Sequence, residues 1–331
     1  MRILIIKRDY GRPILKDYFR HLPDLGEVRV VTLDNNAQQD LAFHLQQLEA
    51  ESYDRVVIAL KAQLMFSQAS TLARYRNLVI HEPSTWFNFD RVNSRYGRFS
   101  DLYHQLQPFT LIVTSYTLAR AWKAEGLQAF CVPNSFHPIS LGYDAEPRDI
   151  RCAFVGKVDA QPYPRRRRVL SKFEKCTKMP ILECHGIPEY RRLLNRIRFF
   201  ISADVMMREY MQKNFEALAC GCVLVAWRQG NGEEEALGLI DGENCLLYRD
   251  VDEALERIME LEQNPDEIDR ISSAGRALAT MRFSHPLRGK ALIEAIQAPL
   301  PTEHVDLRGF RKSLRSQIPY FLRKQLPGLR F

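Results

Sequence analysis

The stretch at residues 213–226 reads KNFEALACGCVLVA. Its first half reads as the end of a helix, Gly221 stops that helix, and the apolar run behind the glycine is a buried strand. Glu216 sits inside it, beside Phe215 and Leu218. A carboxylate is costly to bury there without a partner. Two readings stand side by side. In one, Glu216 is a partly exposed helix acid in a local ion pair. In the other, its two oxygens accept hydrogen bonds from vicinal hydroxyls such as those of a ribose, as an acid does in dinucleotide sites.

Outward from this stretch, short apolar runs alternate with helical segments. In the first 150 residues the runs are Ile3–Ile6, Val28–Leu33, Val56–Leu60, Leu78–Ile80, Leu111–Val113 and Phe130–Val132. Each is bounded by polar residues, as parallel strands covered on both faces are. Between them, Leu41, Leu45 and Leu48 make one helical face. The pattern restarts near residue 151 with Cys152–Val155, Ile181–Leu182, Phe199–Ile201, Val223–Val225 and Cys245–Leu247. Strand–helix alternation predicts a doubly wound α/β fold, here in two halves. Asp144–Asp149, polar and proline-containing, reads as the linker. Asn264-Pro265 caps a helix whose apolar face carries Ile268, Ile271 and Leu278.

The 331 residues are 46% hydrophobic and 26% charged, which excludes a fibrous or largely disordered chain and gives room for two cores. Neither long uncharged stretch, 102–119 or 126–143, is apolar enough for a membrane span. The N-terminus has acid and base too soon after its apolar run for a signal peptide. Seven cysteines without a CxxC pair argue for a reducing compartment and against a disulfide framework or zinc site. The net charge of +7 belongs wholly to residues 307–331, which hold seven Lys and Arg and no acid. A nucleic-acid partner is therefore not expected of the folded body.

Residues 213–226, with the segment GLIDGENCLLYRDVDEALERIMELEQNPDEIDRISSAGRALA at 238–279, resemble GT-B glycosyltransferases. The resemblance is closest to the glycosyl transferases group 1 type, including the spore-maturation-protein-like branch, and is strongest over 150–297. It implies two Rossmann-like doubly wound domains facing a cleft: an acceptor-side domain over 1–149, a nucleotide-sugar donor domain over 150–297, and a basic amphipathic tail over 298–331. Glu216 matches the family's ribose-binding glutamate. Gly156 and Lys157 match the turn that approaches the donor diphosphate, with Lys213 and Arg165 as further cations and Asn214 beside them. Many retaining members carry a second acid eight residues before the ribose glutamate. Here that position is Arg208, with Glu209 one residue out of register; either a local helix shift brings Glu209 into play, or this branch contacts the sugar differently.

Other residues are read from position. Loops at the carboxyl ends of parallel strands line the crevice of such folds. That places Gly11 near the donor, and His81 and Glu82 where an acceptor hydroxyl would be positioned or deprotonated. His81 reads equally as a structural strand-end histidine. Asp250-Val-Asp252 spells a metal-binding DxD, but it precedes a helical pattern and reads as a helix cap. No metal site and no cofactor beyond the nucleotide-sugar co-substrate is expected. In the tail, Phe310, Arg311, Lys312, Leu314 and Arg315 make a basic amphipathic pattern suited to an anionic membrane surface, or to packing on the first domain. The expected activity is metal-independent transfer of a sugar, with retention, from a nucleotide-diphosphate donor to a hydroxyl of a glycan, lipid-linked in cell-surface polysaccharide or lipopolysaccharide assembly. The expected location is cytoplasmic, peripheral on the inner membrane face. Two alternatives stay open: a nucleotide-sugar 2-epimerase on the same fold, and a non-catalytic binding protein using its basic tail.

Overall fold

The computed structural model describes residues 1–8, 26–106, 109–158 and 163–302. Packing divides the described residues into two units, one of 1–8, 26–132 and 290–302 and the other of 133–289. Gly11 and the tail residues Phe310, Arg311, Lys312, Leu314 and Arg315 lie outside the described residues.

The first unit is built on a parallel sheet of β1 (Arg2–Arg8), β2 (Glu27–Leu33), β3 (Arg55–Ala59), β4 (Leu78–His81), β5 (Thr110–Val113) and β6 (Gln128–Cys131). Their order is β2-β1-β3-β4-β5-β6. The interior strands are apolar on both faces: Ile3–Ile6, Val56–Ile58 and Leu78–Ile80 have no exposed surface. β2 pairs only with β1, and as an edge strand it leaves Val30 45% exposed rather than covered on both faces. Helix α1 (Leu41–Gln47) is capped by Asp40, which accepts from Phe43 N, and buries Leu41 and Leu45. Helices α2 (Arg98–Leu106) and α3 (Tyr116–Ala124) bring Phe99, Tyr103 and Trp122 into one edge-to-face cluster. Residues 290–302 return to this unit: Arg55 donates to Ile296 O and Ala298 O, and Gln128 to Pro299 O.

The second unit holds β7 (Ile150–Val155), β8 (Ile181–Leu182), β9 (Ile197–Ser202), β10 (Val223–Trp227) and β11 (Leu246–Tyr248), all parallel, in the order β11-β10-β9-β7-β8. Counted from its own first strand this is 2-1-3-4-5, the order with which the first sheet begins. In both sheets the connection reverses direction beside the first strand, and ligands of such sheets bind at the carboxyl ends of the strands there. In the second unit that point lies between β7 and β9. The covering helices are α4 (Pro164–Thr177), α5 (Ile187–Arg196), α6 (Gln212–Ala219), α7 (Glu233–Leu237), α8 (Val251–Glu262) and α9 (Pro265–Arg282), followed by α10 (His285–Gln297).

Gly221 ends α6 at φ 77°, a backbone setting that favours glycine. Asp250 caps α8, accepting from Asp252 N, while Lys172 pairs with Asp252 at 2.7 Å. The DxD pair is thus a cap with a cationic neighbour. Asn264 caps α9 through Glu267 N. Asp144–Asp149, read above as a linker, is bolted to the second unit. Asp144 binds Arg191, Asp149 binds Arg196, and Arg148 donates to Ile197 O and Cys220 O. Three long-range arginine contacts turn a polar, proline-containing segment into fixed structure.

Candidate active site

Gly156 follows β7 with φ 134°, and its N–H donates to Leu182 O at 2.7 Å. The space a Cβ would need is filled by the Lys213 amine: an ideal Cβ at Gly156 would stand 1.8 Å from Lys213 Nζ. Only glycine permits this approach. Lys213 reaches there from the first turn of α6. Its Nζ donates to Val155 O at 2.5 Å and lies 4.8 Å from the Phe154 ring centroid. Burial lowers its pKa to about 8, although the Glu216 carboxylate pulls the other way. Lys157, next along the turn, is exposed and has no hydrogen bond or ion pair among the described residues.

Glu216, one turn further along α6, is 3% exposed. Its two oxygens meet different donors, Tyr190 Oη on Oε2 at 2.7 Å and Gln212 Nε2 on Oε1 at 2.8 Å. The acid is interior rather than partly exposed, and these two donors are neutral groups. Tyr190 comes from α5, and its hydroxyl pKa is raised well above the usual value by burial and by the carboxylate.

Of the four consecutive arginines in α4, Arg167 and Arg168 are exposed and Arg165 is partly exposed. Arg166 is the one that turns inward, with 6% exposure, its Nη2 lying 3.5 Å from Asp204 Oδ1. Asp204, just beyond β9, has no exposed surface and also binds Asn214 Nδ2 at 2.7 Å and Met211 N at 2.9 Å. Glu209 is buried in the bend between β9 and α6, not within a helix, so no helix shift brings it into register. In that bend Met206 and Arg208 take φ 58° and 59°, settings uncommon for side-chain-bearing residues. The bend is held from β10's loop: Gln229 donates to Asp204 O and accepts from Arg208 N. Glu234 accepts from Tyr210 Oη, Gln229 N and Gly230 N. Burial pushes the Glu234 carboxyl up, but these donors outweigh it and hold its pKa below the ordinary value.

His81 and Glu82 lie in the first unit, at the end of β4, 6% and 4% exposed. Burial lowers the His81 pKa to about 4, helped by Arg8, and raises Glu82 to about 7, with Ser84 N–H and Arg8 opposing. At neutral pH the imidazole is uncharged and the carboxyl is near half-protonated.

The second-unit arrangement is suited to a nucleoside diphosphate. A glycine turn, one half-buried amine, one buried guanidinium and the N-termini of α4 and α6 meet at the switch point, and an interior carboxylate stands three residues along α6. Among the described residues no three His, Cys, Asp or Glu are grouped to hold a metal. No described helix is long and apolar enough to cross a membrane. Sequence reasoning missed Arg166, Asp204, Tyr190 and Gln212. Asp204 was within reach, because it follows the strand beside the switch point. Tyr190 had no local signal.

Residues 145–293 match the family described as glycosyl transferase-like. Among solved structures, the chain is similar to Anabaena HepE in complex with UDP and glucose, at TM-score 0.65 and 14% identity over 90% of this chain and 100% of that one. It is similar too to sucrose-phosphate synthase from Thermosynechococcus elongatus, at TM-score 0.65 and 12% identity over 88% and 97%. TarM is a third, at TM-score 0.57 and 9% identity over 78% of this chain and 57% of that one. No curated protein sequence matches the chain. The resemblance read from residues 213–226 and 238–279 is borne out: residues 145–293 match the glycosyl transferase-like family and the fold is GT-B.

Proposed function

We propose that this chain is a glycosyltransferase that moves a sugar from a nucleoside-diphosphate donor to a hydroxyl of a glycan. The observation that carries the reading is the Lys213 amine seated on Gly156, with Glu216 three residues along the same helix. Glu216, held by Tyr190 and Gln212, accepts from the ribose hydroxyls. Gly156, Lys157, Lys213, Asn214 and the arginines of α4, Arg165 included, meet the diphosphate. As the sugar C1–O bond breaks, negative charge grows on the leaving diphosphate. Prearranged cations and helix N-termini stabilise that charge, and stabilisation of this kind commonly contributes most to the rate. This chain's own cations fill the role a metal fills elsewhere, so the transfer is metal-independent.

The N-terminal unit takes the acceptor. The family resemblance favours retention at C1, with His81 and Glu82 binding the acceptor hydroxyl; under inversion, one of them is the base. The charge of +7 over residues 307–331 supports a lipid-linked acceptor at an anionic membrane surface, in cell-surface polysaccharide or lipopolysaccharide assembly. Peripheral contact through Phe310, Arg311, Lys312, Leu314 and Arg315 belongs to the same proposal. HepE was solved with UDP-glucose, so UDP-sugars come first in the test. Purified protein is incubated with UDP-sugars and a glycan extract, and UDP release is followed. Release that needs acceptor and falls at least a hundredfold in Lys213→Met supports transfer. Free epimer formed without acceptor would make the chain an epimerase instead.

A further inference from the structure

Asp204 is a fully buried acid beside a site suited to anions, and that calls for an explanation. Its Oδ2 accepts from Met211 N and from Asn214 Nδ2, at 2.9 and 2.7 Å. Its Oδ1 stands 3.5 Å from Arg166 Nη2. Met211 is the N-cap of α6, Asn214 lies in that helix's first turn, and Arg166 lies in the first turn of α4. One carboxylate therefore ties together the starts of the helices that follow β7 and β9, the strands flanking the switch point. Both helix starts carry positive partial charge. Arg166 and Lys213 add two full charges. These groups repel, and a buried acid among them holds the arrangement together.

Two neighbouring atoms are left unsatisfied. Arg166 Nε and Asn214 Oδ1 are buried and have no hydrogen-bond partner among the described residues. Their side chains are 6% and 1% exposed. A cluster serving stability alone would pair them, because unpaired buried polar atoms destabilise the fold.

We propose that Asp204 is a positioning residue of the donor diphosphate site, holding the first turns of α4 and α6 where Lys213, Gly156 and both helix starts meet the phosphates. The proposal rests on the donor-site reading above. Asp204 acts through the helices and makes no phosphate contact itself.

The test compares a nucleoside diphosphate with its own nucleoside. The pair is chosen as the diphosphate giving the largest thermal shift among UDP, GDP, ADP, CDP and dTDP. Isothermal titration gives both Kd values, and their ratio isolates what the phosphates contribute. In Asp204→Ala this ratio falls at least tenfold while the nucleoside Kd stays within threefold. Asp204→Asn keeps an oxygen for Met211 N and Asn214 Nδ2 but loses the charge that faces Arg166, and its ratio falls between those of Asp204→Ala and wild type. A general structural defect would instead weaken nucleoside and diphosphate alike. An Asp204→Ala ratio within threefold of wild type overturns the proposal, as does an Asn variant no better than Ala. If Asp204→Ala does not fold, Asp204→Ser is measured in its place, and an unchanged ratio there overturns the proposal equally. Wild-type protein that binds none of the five diphosphates overturns the donor-site reading, and this proposal with it.

Discussion

A lysine amine pressed into the space of a missing Cβ is poorly hydrated, and this sets its proton affinity. With the Lys213 pKa lowered to about 8, diphosphate affinity falls as pH rises from 7 to 9.5, because the free protein loses this charge. Lys213→Arg keeps the charge and flattens the dependence; titration calorimetry across that range shows it, and an Arg variant as steep as wild type contradicts it. Gly156→Ala strains a φ of 134° and drives a methyl onto Nζ. The strain costs about 1–3 kcal/mol of stability, and diphosphate affinity drops more than tenfold. His81 and Glu82 make opposed contributions to stability. Glu82, raised to about 7, favours folding below its ordinary value and loses that contribution as pH rises through 7. His81, lowered to about 4, favours folding above its ordinary value and loses that contribution as pH falls toward 4. Between about 4.5 and 6.5, the ordinary values of the two groups, these slopes nearly cancel. Relative to wild type, Glu82→Gln therefore gains Tm as pH rises through that window, and His81→Asn loses it. Parallel curves for the three proteins would refute the assignment.

At the scale of elements, each apolar run picked out in the sequence coincides with one of the eleven strands among the described residues. These strands are legible because most are buried on both faces, so a short Val- and Ile-rich run between polar residues has no other good home. Caps were legible for the same local reason: Asp250 and Asn264 satisfy N–H groups within three residues of themselves. What the chain does not advertise is the long-range partner. Nothing near Glu216 in sequence points to Tyr190 on another helix, and nothing in Asp144–Asp149 announces the three arginine contacts that fix it. Nor does the run of arginines in α4 say which one turns inward. Gly275, in the Ala-Gly-Arg triplet, has a close-approach role: a Cβ there would stand 2.6 Å from Asn244 O and 2.7 Å from Leu218 Cδ2. Gly275→Ala forces α9 off α6 and costs about 1–3 kcal/mol, measurable by denaturant unfolding. A neutral or stabilising result would show that the helices separate freely.

For the whole molecule, both sheets share the strand order around their first strands, and each half has its own core. The repeat of architecture was readable from alternation alone. The second half was readable in finer detail, because residues 213–226 and 238–279 carry specific features. The N-terminal half offers only strand ends, His81 and Glu82 among them. Charge is distributed at this scale too: residues 1–306 sum to zero and the tail carries the excess. Reversing Arg311, Lys312 and Arg315 to Glu abolishes flotation with anionic liposomes and leaves nucleotide binding unchanged; retained flotation would remove the membrane from the account. A nucleotide-sugar site built around Glu216 is tested by thermal-shift titration of wild type and Glu216→Ala with UDP, GDP, ADP, CDP and dTDP, since a ligand of the folded state raises Tm by mass action. One diphosphate is expected to raise the Tm of wild type and not that of the variant. No shift with any of the five, or an equal shift in the variant, would mean that Glu216 anchors no nucleotide.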